Sequence, residues 1–281
     1  MSATSDTSVR PTAVYDLPAG SLVRGQNFWV QWLEAGLVES EVHSAHEMLL
    51  LLPSEVGAQA LIGSSVHDFP GRSVCILPAG RVAITLNGTG KAALITSSRG
   101  DAAEAAVVNG GDYATPDSRI RPSEDGYRRE RGAGAPHVIP IDEVQAPPDN
   151  PRLKMFQTET LSINWVEYHG ARDRSQLSPH SHADFEQGSL AIAGNFIHHL
   201  RTPWGRNADL WREDLHLEAG SPSMISIPLH MIHTTEGVGS GHHLLVDVFS
   251  PPRADFIAKG WVLNASDYLH APAPMSSPSE A

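Results

Sequence analysis

The 281-residue chain has little cysteine, few aromatic residues (6%) and no long apolar run. Its one cysteine, Cys75, excludes an intrachain disulfide, so disulfide bonds do not hold the fold together. The longest apolar run, residues 48–53, is far shorter than the roughly 20 residues that a membrane-spanning helix needs. No N-terminal stretch combines a basic start with the apolar run of a secretory signal. We therefore expect a cytoplasmic protein with no membrane anchor.

Basic residues are also scarce, because 20 Lys and Arg stand against 32 Asp and Glu, which gives a formal net charge of −12. A chain of this charge repels the phosphate backbone of nucleic acid. We expect a small molecule as the partner and no nucleic acid. Assembly into a homo-oligomer is compatible with the composition and is kept as an expectation.

Glycine and proline are abundant, with 24 and 21 residues, and they separate short apolar segments of strand length. These segments are 27–32, 48–52, 73–77, 81–86, 92–96, 161–166, 190–192, 196–200, 224–227 and 244–249. No stretch keeps a helical period of 3.6 residues. The pattern predicts an all-β fold in two modules, at 20–109 and 153–265, joined by a linker at 110–152. Residues 1–19 and 266–281 are expected to be disordered tails.

Histidine is the most informative residue type in the sequence. Of 15 histidines, four precede residue 138 and eleven lie from His169 onward. Histidine is the commonest metal ligand and titrates near neutral pH. The second module is therefore the place to look for chemistry.

The pattern H-x-H-x-x-x-E occurs at His180, His182 and Glu186. On a β-strand these three side chains point to one face, because successive side chains alternate. His233, from a neighbouring strand, would complete the set. The spacing therefore predicts a metal site made of His180, His182, Glu186 and His233.

Together with Gly220 and Pro228, these residues resemble the two signature motifs of the cupin superfamily. The resemblance implies a small antiparallel barrel, the jelly roll or double-stranded β-helix, in which three His and one Glu bind one divalent metal. His230 departs from the pattern, which usually has Gly there.

The first module resembles a cupin that has lost its metal ligands. His43 and Glu47 keep the His-to-Glu spacing, but Glu41 takes the first ligand position and Ala83 the last. The whole chain is thus similar to a bicupin with one metal-binding barrel, at the C-terminal end. The ligand set suits Fe, Mn, Ni or Zn without choosing among them and leaves coordination positions open. Alternation counted from Glu186 also points His198 into the cavity.

A second resemblance involves Asp247 and Arg253, which lie six residues apart across the end of a strand. The segment is similar to the barrel end of the small cupins that act on sugar acids in pectin degradation. The resemblance implies that both side chains face the metal cavity. Asp247 would then act as a general acid or base, and Arg253 would bind a substrate carboxylate.

The sequence is compatible with three functions. The first is a non-redox metalloenzyme, an isomerase, lyase or hydrolase, that acts on a small hydroxy- or keto-acid. The second is a non-haem Fe(II) dioxygenase that cleaves a diketone or a dihydroxylated aromatic ring. The third is a metal-bound binding module without turnover. The polar candidates His198, Asp247 and Arg253 favour the first, because an aromatic substrate needs a mostly apolar pocket.

Overall fold

The computed structural model describes residues 12–36, 40–99, 107–123, 126–148 and 150–270. The strands of its first half are β1 Val14–Asp16, β2 Leu22–Arg24, β3 Trp29–Glu34, β4 Ser40–Ser44, β5 Met48–Leu52, β6 Ala58–Ile62, β7 Ser65–Phe69, β8 Ser73–Leu77, β9 Gly80–Leu86, β10 Lys91–Thr96, β11 Tyr127–Arg129 and β12 His137–Pro140. Those of the second half are β13 Met155–Gln157, β14 Ser162–His169, β15 Gln187–Ala193, β16 Asn195–Arg201, β17 Leu215–Ala219, β18 Ser223–Ile227, β19 Ile232–Val238, β20 His242–Phe249 and β21 Tyr268–His270, with one short helix, α1 Ala254–Ala258, after β20.

The N-terminal barrel consists of a six-stranded sheet, in the order β12-β8-β5-β10-β3-β2, and a four-stranded sheet, in the order β4-β9-β6-β7. Strand β5 is buried on both faces, which explains its uninterrupted apolar sequence. Met48, Leu50 and Leu52 pack inside the barrel. Leu49 and Leu51 point the other way, into a core that both barrels share. The strand therefore serves two cores at once.

The C-terminal barrel repeats this plan with a six-stranded sheet, in the order β1-β18-β15-β20-β14-β13, and a three-stranded sheet, in the order β17-β16-β19. Its central strand, β20, alternates in the same way. Val246 and Val248 join the shared core, whereas Asp247 and Phe249 face the barrel cavity. This alternation is what brings a carboxylate into the interior.

The shared core contains large side chains from both barrels, including Phe28 and Trp32 from the first and Phe156 and Trp165 from the second. Each of these four is about 1% exposed. Burying a side chain of this size contributes about 2–3 kcal/mol. The barrels are thus fused by a continuous apolar interface.

Polar contacts also cross between the barrels. Arg72 bridges Glu167 at 2.8 Å and Asp142 at 2.7 Å. In the N-terminal barrel the buried Glu47 forms an ion pair with Arg129 at 3.1 Å and accepts a hydrogen bond from the Tyr268 hydroxyl at 2.9 Å. The C-terminal strand β21 pairs with β11 and so carries Tyr268 to the first barrel.

The all-β bicupin fold predicted from the sequence is confirmed, and the ten predicted segments all coincide with strands. The boundaries differ at the ends. Residues 14–16 of the expected N-terminal tail form β1, which pairs with β18 of the C-terminal barrel. Residues 268–270 of the other expected tail form β21, and the expected linker supplies β12 to the first barrel. Residues 1–11 and 271–281 lie outside the described residues.

No helix within the described residues is long and apolar enough to cross a membrane.

Candidate metal centre

The H-x-H motif lies in the loop that leads into β15 and not on a strand. His180 joins His233 through a pair of backbone hydrogen bonds, at 3.0 and 2.8 Å, and the chain bends at residues 183–184. His230 donates its backbone N–H to the His182 carbonyl at 2.6 Å. Its φ of 61° is the left-handed conformation that glycine adopts without strain. The turn expected from the motif is therefore kept despite the histidine.

His180, His182 and His233 converge, with ligand nitrogens that all lie within 4.8 Å of one another. They are the only group of three or more potential His, Cys, Asp or Glu ligands in the part of the chain that the structure describes. His182 and His233 are buried, whereas His180 is exposed at the cavity mouth. The structure therefore brings together three of the four predicted ligands.

Backbone carbonyls orient two of these imidazole rings. His180 Nδ1 lies 2.9 Å from the Ser178 oxygen, and His233 Nδ1 lies 2.9 Å from the Met231 oxygen. A neutral ring that donates from Nδ1 leaves the Nε2 lone pair free to bind a metal. Such an outer hydrogen bond is typical of metal-ligating histidine.

The fourth predicted ligand, Glu186, is not in the group. Its carboxylate accepts a hydrogen bond from the backbone N–H of Gln26, in the other half of the chain, at 2.7 Å. The next residue, Gln187, lies beside the histidines instead. Gln187 Oε1 lies 2.9 Å from His182 Nε2 and 3.2 Å from His233 Nε2. The strand alternation on which the prediction of Glu186 rested does not apply here, because residues 181–186 do not form a strand.

The donor set fits a cation. The Gln187 amide nitrogen donates to Asp247 Oδ1 at 2.9 Å and to Ser189 Oγ at 3.0 Å, so its Oε1 must face the histidines. Because His233 donates from Nδ1, its Nε2 lone pair faces Gln187 Oε1. These two acceptor atoms lie 3.2 Å apart, and they repel each other unless a positive charge lies near both. Three imidazole nitrogens and one amide oxygen supply the hard and borderline donors that divalent transition metals accept.

Burial keeps His182 and His233 neutral. It lowers the pKa of His182 to about 3, with a further contribution from Arg253, and it lowers the pKa of His233 to about 4, helped by His180. A neutral imidazole is the form that binds a metal. The site is therefore ready to receive an ion at neutral pH.

A cavity of about 480 Å³ opens next to the three histidines and includes both Asp247 and Arg253 in its wall. Asp247 is partly buried, and desolvation raises the pKa of its carboxyl, although hydrogen bonds from Ser189 and Asn164 act in the opposite direction. Its Oδ1 accepts from the Ser189 hydroxyl at 2.8 Å. Asp247 thus lies directly behind Gln187 in one hydrogen-bonded chain.

Arg253 follows β20 and immediately precedes α1. Its guanidinium carbon lies 3.8 Å from the centre of the Phe256 ring. Nε and Nη2 bind the Asp255 carboxylate at 2.8 and 2.7 Å. Arg253 lines the cavity, and its remaining nitrogen, Nη1, makes no hydrogen bond within the described residues.

His198 does point into the barrel, as the alternation of β16 predicts, but it lies beneath the cavity wall. It is 1% exposed, and its Nδ1 lies 3.0 Å from the hydroxyl of Thr235, which does line the cavity. Burial lowers the pKa of His198 to about 3. The structure therefore places His198 one residue away from the cavity surface.

The N-terminal barrel has no comparable cluster in the described residues. His43 and Glu41 project outward from β4 and are exposed, and Glu41 pairs with Arg81. Glu47 points inward but binds Arg129 and Tyr268. Glu41 and His43 therefore lie on the outer face of the barrel and Glu47 on the inner face, as expected of a barrel that has lost its metal ligands.

Two fused barrels, with a histidine cluster in one of them, define a protein of the bicupin fold with a candidate metal centre. No family model matches the sequence, and no curated protein matches it significantly. Solved structures match the fold. An oxalate decarboxylase studied for its substrate binding and reaction specificity superposes with a TM-score of 0.54 at 10% identity, over 87% of this chain and 78% of that one. A Bacillus subtilis oxalate decarboxylase studied for its Mn(II) centres gives a TM-score of 0.52 at 10% identity, over 87% and 78%.

Proposed function

We propose that the protein is a metal-dependent enzyme that acts on a small hydroxy- or keto-acid by proton transfer, without redox chemistry. The observation that carries the proposal is the position of Asp247, a partly buried carboxylate that lines the same cavity as the three histidines. The reaction class is that of an isomerase, lyase or hydrolase.

The charge of the cavity supports an acidic substrate. The whole chain carries a net charge of −12. The cavity wall, in contrast, contains two acidic side chains, Asp247 and Asp255, and four basic ones: Arg152, Arg172, Arg253 and Lys259. A cleft lined by one sign of charge concentrates ligands of the opposite sign. A carboxylate is the simplest anion of a size that fits.

One divalent ion per chain, held by His180, His182, His233 and the Gln187 oxygen, would supply Lewis-acid polarisation of a carbonyl or hydroxyl oxygen. The protein's own groups do the rest. Arg253 Nη1 binds the substrate carboxylate, and the contacts of this guanidinium with Asp255 and Phe256 hold it in place. Asp247 would take or give the proton at the carbon α to the carbonyl group of the substrate, since its carboxylate faces the same cavity.

The test incubates the metal-loaded protein with a panel of hydroxy- and keto-acids, including an unsaturated uronate, in D₂O without oxygen. Proton-transfer chemistry produces deuterium incorporation or isomerised product in the NMR spectrum under these conditions. The H182A variant is the matched control and should be inactive. Turnover that appears only with oxygen, with oxygen consumed in proportion to product, would instead favour the dioxygenase function.

A further inference from the structure

The loop between β16 and β17 carries two exposed tryptophans that the chemistry at the metal centre does not use. Trp204 is 69% exposed and Trp211 is 41% exposed. Their rings stack face to face, with centroids 4.5 Å apart and an angle of 7° between planes. Large aromatic side chains grouped on a surface commonly mark a binding site.

The loop's own contacts hold this stack in place. An ion pair between Arg201 and Asp214, at 2.6 Å, closes the loop at its base. Trp211 Nε1 donates to the Gly205 carbonyl at 2.9 Å, and Arg212 donates to the Asp209 carbonyl at 3.0 Å. The aromatic surface is therefore formed before any ligand arrives, which reduces the entropy cost of binding.

The surroundings of the stack suit a hydroxylated ring. The adjacent cavity, of about 540 Å³, is lined by Trp204 together with polar and charged side chains: Arg201, Thr202, Arg212, Glu213, Asp214 and His216. The apolar C–H face of a sugar ring packs on an indole, and its hydroxyl groups bond to charged donors and acceptors around the rim. A flat aromatic ligand would need apolar walls on several sides.

The stack lies at the same end of the barrel as the metal centre. Leu200 pairs with the ligand His233, and Arg201, where the loop begins, pairs with Ile232. A smaller cavity, of about 230 Å³, has lining residues in common with both regions. It shares Arg201, Asp214 and His216 with the tryptophan cavity, and it shares Pro179, His233 and Thr234 with the metal cavity.

We propose that Trp204 and Trp211 form a second subsite, which binds a sugar ring of a carbohydrate acid whose carboxylate end reaches the metal centre. The proposal rests on the function proposed above and makes its substrate an oligosaccharide acid. Trp204 lines the second cavity and not the metal cavity, so a ring other than the one at the metal centre would pack on it.

The experiment measures the binding of galacturonate and of its α-1,4-linked trimer to the metal-loaded protein by titration calorimetry. We expect wild type to bind the trimer at least tenfold more tightly than the monomer. The W204A variant should lose this gain, with its affinity for the monomer unchanged. The W204F variant, which keeps an aromatic face, should retain most of the gain.

Equal affinity of wild type for trimer and monomer, or a gain that survives in W204A, would overturn the subsite. Failure of the trimer to bind wild type at all would do the same. Because the readout is binding, it separates the two proposals. A trimer that binds through Trp204 but is never turned over supports the subsite and contradicts the proposed function, whereas monomer turnover without a trimer gain does the reverse.

Discussion

Gln187 donates a hydrogen bond of 2.9 Å to Asp247, and this contact determines which end of the Gln187 amide faces the histidines. With the amide nitrogen engaged by Asp247 and Ser189, the oxygen is left 2.9 Å from His182 Nε2. Asp247 thereby acts on the candidate metal centre through one intermediate side chain. An outer carboxylate in such a position strengthens the donor that it orients.

The first prediction compares the two neighbours Glu186 and Gln187. The Q187A variant should bind Mn²⁺ at least about tenfold more weakly than wild type, because it loses a donor oxygen. The E186Q variant should stay within about twofold, because the Glu186 carboxylate accepts from Gln26 and is not in the histidine group. Loss of the free Mn²⁺ EPR signal on titration measures both. A larger loss in E186Q than in Q187A would return Glu186 to the ligand set.

The second prediction compares the two barrels. Wild type should carry about one divalent ion per chain, and H182A should carry none yet remain folded, because strand pairing and core burial stabilise the barrel. The H43A variant is the matched control, since His43 is exposed on β4, and it should keep both metal and activity. Elemental analysis measures the metal content of each variant, and circular dichroism measures whether the variant is folded. Two ions per chain, or metal lost in H43A, would contradict the assignment of the N-terminal barrel as a scaffold.

Much of the fold could be predicted from the sequence, because a barrel strand buried on one or both faces has a distinctive apolar pattern. Strands β5 and β8 match the predicted segments residue for residue. Strands β6 and β7 were not predicted. Their outward residues include Leu61 and Val66, which are exposed and apolar, so the usual alternation of apolar and polar residues is blurred there.

The convergence of the three histidines could be predicted from their spacing, whereas the position of Gln187 beside them could not, because His180 and His182 lie in the loop before β15, where strand alternation does not apply. The alternation of polar and apolar residues from Gln187 onward was a usable signal in the sequence. It marks strand β15, in which Gln187 and Ser189 face the interior and Leu190 faces the shared core. The bulge between Ala191 and Ala193 then shifts the register of the strand pairing. Counting alternate residues without a break therefore does not relate the orientation of Glu186 to that of His198.

The third prediction concerns the ion pair between Arg72 and Glu167. Burial alone would raise the pKa of Glu167, but hydrogen bonds from Arg72, Trp165 and His242 lower it from 4.5 to about 2. A depressed pKa stabilises the fold above the unfolded pKa, and this contribution is lost as the pH falls. E167Q should therefore lower the free energy of unfolding by about 2–3 kcal/mol at pH 7, with a difference that shrinks between about pH 5 and pH 2.

Urea unfolding at a series of pH values measures this difference. The matched control is E218Q, because Glu218 is exposed on β17, and it should change stability by less than about 0.5 kcal/mol at every pH. A stability difference for E167Q that stays constant with pH would show that the lost carboxylate was not held in its charged form.

The last prediction tests the roles of Asp247 and Arg253, which line one cavity with the histidines. The D247N variant should lower kcat by roughly 10² to 10⁴, the range typical of a lost proton-transfer group. Its amide oxygen still accepts from Gln187, so the metal content should not change. The R253A variant should mainly raise KM, because the guanidinium binds the substrate carboxylate and does not take part in proton transfer. The matched control is R172A, which removes another basic side chain of the wall, and its KM should rise less.

Steady-state kinetics and metal analysis of each variant measure these effects. A D247N variant that keeps its metal and its full kcat would show that Asp247 takes no part in the chemistry. An R253A variant that loses kcat at unchanged KM would contradict the role of Arg253 as a carboxylate-binding residue.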